Sequence, residues 1–210
     1  MSHDDFATEP VPGLPEKPPE GEHILWQGRP NWVQLSWEAM SLPWVIGYFV
    51  LLALWRFGAV YDLLPLGQAI GASVPFLILG AVVVAALMLV GWVQSVCTLY
   101  TVTNKRVAMR IGAALTVTLN IPYRQVANAT LSMRGNGTGT IALETMGDTR
   151  LSYLVCWPHV RPWVMRRTQP ALRCIPDAER VARLIAEAAD THVATPQVER
   201  RPSRAAVAAE

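Results

Sequence analysis

The sequence predicts a membrane α+β protein: a two-helix transmembrane hairpin, then a cytoplasmic antiparallel β barrel or sandwich closed by a C-terminal amphipathic helix. Three observations predict it. Charged residues make up only 16% of the chain and hydrophobic ones 51%, whereas a soluble domain carries about 25% charge. Two apolar runs of membrane-crossing length lie before residue 95. After residue 97 the apolar period becomes two, the period of a half-buried strand.

The elements follow in order. Residues 1–22 hold five prolines and little that builds a core, so they predict a disordered acidic, Pro-rich arm. Residues 23–42 predict a short lead-in strand, "HILWQG", ended by Arg29-Pro30. An interfacial segment follows, with Trp32, Leu35, Ala39 and Met40 near helical spacing. Residues 43–64 would rise about 33 Å as a helix, enough to cross a bilayer core. Residues 71–94 contain no charge and form the second span, with "PLGQAI" as a tight loop between the two.

Charge orients the hairpin. Residues 1–22 sum to −5, 23–93 to zero and 94–210 to +7, within a net charge of +2. The bases that follow the second span, Lys105, Arg106 and Arg110, predict that both termini are cytoplasmic and the loop is outside. A multi-pass protein of the cytoplasmic (inner or intracytoplasmic) membrane is expected. The N-terminus lacks the basic and then apolar pattern of a secretory signal. Cys97, Cys156 and Cys174 are odd in number and without C-x-x-C, which argues against a disulfide framework or a zinc site.

Arg56 interrupts the first span. It either snorkels to the outer headgroups beside Trp55 and Tyr61 or makes a polar contact to a partner's transmembrane helix. Gly47, Gly80 and Gly91 are small residues at which helices approach closely.

A cytoplasmic domain is predicted over 97–193, with a disordered tail over 194–210. Tyr100, Val102, Val107, Met109 and Ile111 share one face, and Arg106, Ala108 and Arg110 the other. Thr103 to Arg106 forms the tight turn, because Asn104 tolerates positive φ. Val117, Leu119 and Ile121 continue the inner face, followed by Ala127, Ala129, Leu131 and Met133. Gly135 to Gly139 is a hairpin loop. Ile141, Leu143 and Thr145 precede a turn at Gly147-Asp148, and Leu151, Tyr153 and Val155 close a meander of about five strands. Asp177 caps a helix whose Val181, Leu184, Ile185 and Ala188 form a stripe that plugs the open end of the sheet.

These residues resemble a family. "EHILWQGRP", two spans, "YTVTNKRVAMRIG", "IPYRQVANAT" and a terminal helix resemble the bacterial pleckstrin-homology-like (PH-like) membrane proteins over residues 22 to about 190. The matching positions are Trp26, Gly28 and Pro30, then Tyr100, Thr103 and Arg106, then Ile121 and Pro122. The arm "FATEPVPGLPEKPPEGE", "ILWQGRP" and "RPWVMRRTQPALRCIPDAERVARLI" further resemble the PuhB-type photosynthetic-complex assembly proteins of purple bacteria. That resemblance implies a PH-like cytoplasmic domain and a role in reaction-centre formation.

The chemistry-bearing residues point to binding. None of His3, His23, His159 and His192 lies in a span, so the chain is not expected to be a pigment-binding subunit. H-E-x-x-H, a P-loop lysine and G-x-S-x-G are absent from the sequence, and no enzyme activity, cofactor or metal is expected. His159 reads as a loop or rim residue. Trp157, Trp163, Arg166 and Arg167 are candidate partner-docking residues, because aromatic and Arg side chains are enriched at interface hot spots. The alternative is that the two rings pack on the sheet or lie at the headgroups.

Lys105, Arg106 and Arg110, with Arg124, Arg134 and Arg150, are candidates for a basic face near an anionic leaflet, each contributing about 1 kcal/mol; the alternative is a solvated surface. The resemblance implies a non-enzymatic assembly factor for the reaction centre, with a secondary effect on the core light-harvesting complex. The other reading is a generic membrane-anchored protein- or lipid-binding module with a different client. Expected partners are reaction-centre subunits, core antenna or other assembly factors, an anionic lipid surface and a second copy of the chain, but no nucleic acid.

Overall fold

The computed structural model describes residues 10–113, 116–135, 137–146 and 151–194. Strand β1 (Ile24–Gly28) leads into helix α1 (Trp32–Ala39) and the long helices α2 (Leu42–Val60) and α3 (Leu66–Val96). Then come β2 (Leu99–Thr103), β3 (Arg106–Ile111), β4 (Val117–Pro122), β5 (Val126–Met133), β6 (Thr138–Thr145), the one-turn helix α4 (Tyr153–Cys156), β7 (Ala171–Pro176) and α5 (Ala178–Ala194).

Helices α2 and α3 have mean hydropathies of 1.5 and 2.7 and are long and apolar enough to cross a membrane. Away from the face on which they pack together they leave large apolar side chains exposed, among them Leu51, Leu54, Leu77, Ile78, Val82 and Leu89. Lipid tails cover such surface and water does not, which points to membrane association. The turn between them is Tyr61–Pro65, not residues 65–70. Pro65 starts α3 early by accepting from the Gln68 and Ala69 amides at 2.8 and 3.0 Å. Proline suits such a helix start because its φ is already set.

The glycines act where α3 meets its neighbours. A Cβ on Gly80 would come 2.7 Å from the Phe49 side chain, and one on Gly91 would come 2.0 Å from Ser36 Oγ. Gly47 has open space around it. Gly91 therefore admits α1, not α2. Leu35 and Ser36 are buried, whereas Trp32, Val33 and Trp37 stay exposed. Of the expected stripe, Leu35 and Met40 turn into the protein, Ala39 is half-buried and Trp32 stays exposed. Asn31 Oδ1 accepts from the Gln34 amide at 3.1 Å and starts α1, while Ser95 Oγ donates to the Pro30 carbonyl at 2.6 Å.

Among the described residues the strands form two antiparallel sheets, β1-β2-β3-β4 and β5-β6-β7. Their facing sides share one core, in which Tyr100, Val102, Val107, Met109 and Ile111 meet Ile141, Leu143, Leu172 and Ile175. Ala178, Val181, Ile185 and Ala188 of α5 fill its end. The predicted strand at Leu151, Tyr153 and Val155 is replaced by α4 and a loop, and the last strand is β7.

Strand β7 hides from a search for alternation. Cys174 has φ 51°, and the register shifts between Gly139 and Ile141. This bulge lets Leu172 and Ile175 both face the core despite their odd spacing. The β5–β6 hairpin forms as expected, with Gly137 at φ 78° and the Arg134 amide bonded to the Thr138 carbonyl at 2.9 Å. Asn136, Gly147 and Asp148, and the tail from 195 onward, lie outside the described residues.

The other side of the first sheet is also covered. Residues 10–22, expected to be disordered, run along it. Leu14 is 1% exposed, and a Cβ on Gly13 would meet Leu99 Cδ2 at 2.6 Å. Gln27 Nε2 donates to the Pro12 carbonyl and to Thr101 Oγ1, both at 2.9 Å. Glu22 accepts from Thr103 Oγ1 and Arg106 Nε at 2.8 Å each. At the β2–β3 turn Asn104 is not among the positive-φ residues. Its side chain instead accepts from the His23 amide and donates to the Gly21 carbonyl, while Thr103 Oγ1 caps the Lys105 and Arg106 amides.

Candidate docking surface at the helix–sheet junction

Where α3 runs into β2, one buried side chain ties the parts together. His159, expected at a rim, is fully buried. Its Nδ1 lies 2.7 Å from Tyr100 Oη and its Nε2 2.9 Å from Thr98 Oγ1. Thr98 Oγ1 donates to the Gln94 carbonyl at 2.7 Å, so it must accept from His159 Nε2–H. With the proton on Nε2, Nδ1 is an acceptor, so Tyr100 Oη donates to it while accepting from the Arg173 amide at 3.3 Å. The network runs in one direction, from β7 through Tyr100 and His159 to the end of α3, with every proton assigned. Burial, reinforced by the charge of Arg173, pushes the His159 pKa down to about 3, and burial raises that of the Tyr100 hydroxyl. Both groups are neutral near pH 7. Burial likewise raises the thiols of Cys156 and Cys174, the latter to about 12 with help from Glu38, so neither is a reactive thiolate.

The His159 backbone sets up what lies outside. Its carbonyl accepts from the Ala171 amide at 2.9 Å, and the Arg161 amide donates to the Gln169 carbonyl at 2.9 Å. The chain from 161 to 169 therefore projects as a closed loop. Trp163 at its tip has φ 67° and is 88% exposed. A left-handed backbone at a bulky residue is strained, and it holds the indole outward. Leu154, Val155, Trp157 and Met165 are exposed in the same stretch of chain, together with Arg166 and Arg167.

Beside this ridge lies a cleft of about 540 Å³. One wall is the α1–α2 corner, with Trp37, Glu38, Ser41 and Trp44; the opposite wall carries Thr130, Ser132, Arg134, Thr140 and Arg173, with Arg161 and Trp163 at the loop side. Glu38 is ion-paired to Arg134 and, at 3.3 Å, to Arg173. Gln34 Nε2 donates to Glu38 at 2.7 Å, and Arg173 Nη1 donates to the Pro158 carbonyl at 3.1 Å.

The predicted site residues are only partly brought together. Trp163 joins Trp37 and Trp44 around the cleft. Trp157 is only 37% exposed and does not line it. Arg166 is exposed, and Arg167 reaches Glu144 at 3.9 Å. Arg56 is exposed on α2, between exposed Trp55 and the α2–α3 turn.

Lys105, Arg106 and Arg110 do not form a free basic face. Lys105 Nζ donates to the Glu20 carbonyl at 3.2 Å, Arg106 pairs with Glu22, and Arg110 is buried. The acidic arm and the neighbouring elements take up the surface that alternation left to solvent. Arg134 is in the Glu38 pair, Arg124 is exposed, and Arg150 lies outside the described residues. Sequence reasoning missed Glu38, Arg173 and His159. A signal existed for Glu38: it is the sole acid between residues 23 and 61.

Two long apolar helices leading into two antiparallel sheets closed by a C-terminal helix define a membrane-associated PH-like protein. The chain belongs to the bacterial PH domain family, whose model matches residues 41–189. It is 44% identical over 211 residues to a Rhodobacter capsulatus protein described as an uncharacterized 23.7 kDa protein in the puhA 5′ region, across 100% of this chain and 99% of that one. A solved structure, a DUF1696 family protein with a pleckstrin-homology domain from Shewanella loihica PV-4, is 12% identical and covers 46% of this chain and 74% of that one, with a TM-score of 0.32.

Proposed function

We propose that this protein is a non-enzymatic assembly factor for the bacterial photosynthetic reaction centre, with a secondary effect on the core light-harvesting complex. The observation that carries the reading is exposed Trp163, which rims a cleft with Trp44 at the start of an apolar helix, in a stretch of chain that also exposes Leu154, Val155 and Met165. A surface tethered in this way is offered to membrane-embedded partners at high effective concentration. Its aromatic, Met and Arg composition is that of interface hot spots. The client class comes from the resemblance to the photosynthetic-complex assembly proteins, and the full-length relative from the puhA 5′ region supports a photosynthesis-related role.

Deletion is expected to lower reaction-centre content and slow photosynthetic growth while leaving respiratory growth in the dark unchanged. Replacing Trp157 and Trp163 by Ala should reproduce part of the defect, measured by absorbance of isolated membranes. Normal reaction-centre levels in the deletion strain would overturn the reading and favour a binding module with another client.

The same reading makes the protein multi-pass in the cytoplasmic membrane with both termini inside, supported by the excess of bases after residue 104. A reporter active only outside the cytoplasm should work in the Tyr61–Pro65 turn and stay silent after Val193. The reverse pattern would invert the topology.

A further inference from the structure

The cleft opens where α1 turns into α2, so a molecule filling it touches both the second sheet and the first residues of an apolar helix. Its charge is unbalanced. Arg134, Arg161 and Arg173 line it against the single carboxylate of Glu38. Glu38 engages Arg134 and Arg173, while Arg161 donates to the neutral Gln169 Oε1 at 3.1 Å.

Arg173 supplies an independent observation. Its side chain is 6% exposed, and its Nε has no hydrogen-bond partner among the described residues. That is a costly state for a buried cationic donor. Hydroxyls of Ser41, Thr130 and Ser132 line the same space, and the N-terminal end of α2 adds the positive end of its dipole. Guanidiniums and hydroxyls together are the donor set of a phosphate oxyanion, to which the α2 dipole adds only its field, because Pro43 has no N–H and the Trp44 amide is taken by the Ser41 carbonyl.

The surroundings select which phosphate. Trp37, Trp44 and Trp163 rim the cleft, and Trp is the residue type that sits at headgroup depth. Beyond Trp44, α2 continues with exposed Ile46, Val50 and Leu54. We infer that the cleft binds the phosphodiester headgroup of an anionic phospholipid, whose acyl chains run along α2. The positive balance disfavours a zwitterionic lipid, because the ligand's own ammonium meets the guanidiniums. Glu38 is the internal anion with which the lipid competes. The site is distinct from Lys105, Arg106 and Arg110, and it holds whichever client the ridge takes.

The test uses the full chain purified in mild detergent and titrated with phosphatidylglycerol or phosphatidylcholine, with bound lipid counted by native mass spectrometry. Phosphatidylglycerol should be retained about tenfold more tightly. Arg161→Gln should lose most of that preference, Glu38→Gln should strengthen it, and Arg183→Gln on α5 should leave it unchanged. Excess inorganic phosphate should not displace the lipid. Equal retention of the two lipids, or undiminished preference in Arg161→Gln, overturns the inference. Displacement by inorganic phosphate makes the cleft a free-anion site instead. Equal lipid retention combined with loss of a co-purifying client in Arg161→Gln assigns the cleft to protein. Should Glu38→Gln fail to fold, the exposed Arg161 decides alone.

Discussion

His159→Leu is expected to destabilise the fold by about 3 kcal/mol, because it leaves the buried Tyr100 hydroxyl without an acceptor and Thr98 without a donor. Near-UV circular dichroism during thermal unfolding of the detergent-purified protein measures this. Adding Tyr100→Phe should recover part of the loss, since removing both partners of a buried bond costs less than removing one. An additive double mutant would refute the network.

The same residue sets a pH dependence. The folded pKa of about 3 lies below the ordinary histidine value, so between the two the unfolded chain holds a proton that the folded one does not. Stability from this group is complete above about pH 6.5 and is lost as pH falls, by up to roughly 1.4 kcal/mol per unit down to the folded pKa. The wild-type slope should therefore exceed that of His159→Leu over this range. Equal slopes would mean that His159 is accessible to protons in the folded state.

Glu38→Ala is expected to cost about 3 kcal/mol, for a different reason. It removes the carboxylate from a guanidinium that is 6% exposed, and an uncompensated buried charge is costlier than a missing pair. Glu38 on α1 bonds Arg134 on β5 and Arg173 on β7, so the loss should also loosen the helical corner from the second sheet. Trp37 and Trp44 then become more accessible to an aqueous quencher. Combining Glu38→Ala with Arg173→Met should restore most of the stability, because the stranded charge leaves with its partner. If the double variant is as unstable as Glu38→Ala alone, Arg134 or packing carries the effect.

Local pattern determined much of this protein. Apolarity over α2, broken only by Arg56, and over the charge-free α3 points to a lipid-facing hairpin. The period-two alternation of β2, β3 and β4 selects Tyr100, Val102, Val107, Met109 and Ile111 for the core, because strand side chains alternate faces by geometry. The stripe of α5 marks the helix that closes the sheets through Val181, Ile185 and Ala188, with Leu184 only half-buried, whereas composition left open whether Trp157 and Trp163 are exposed or packed on the sheet.

Tertiary structure decided what depends on distant partners. Alternation says that Arg106 and Arg110 oppose the core, but not that the arm at Glu22 covers that side. It fails at β7, where a left-handed Cys174 changes the phase. It cannot bring Glu38, Arg134 and Arg173 together, because contacts across 96 and 135 positions arise only when helix, sheet and loop close on one another. His159 shows the same limit. A lone histidine in a proline-rich loop carries no local sign of burial, and only the convergence of α3, β2 and β7 surrounds it with hydroxyls and removes water.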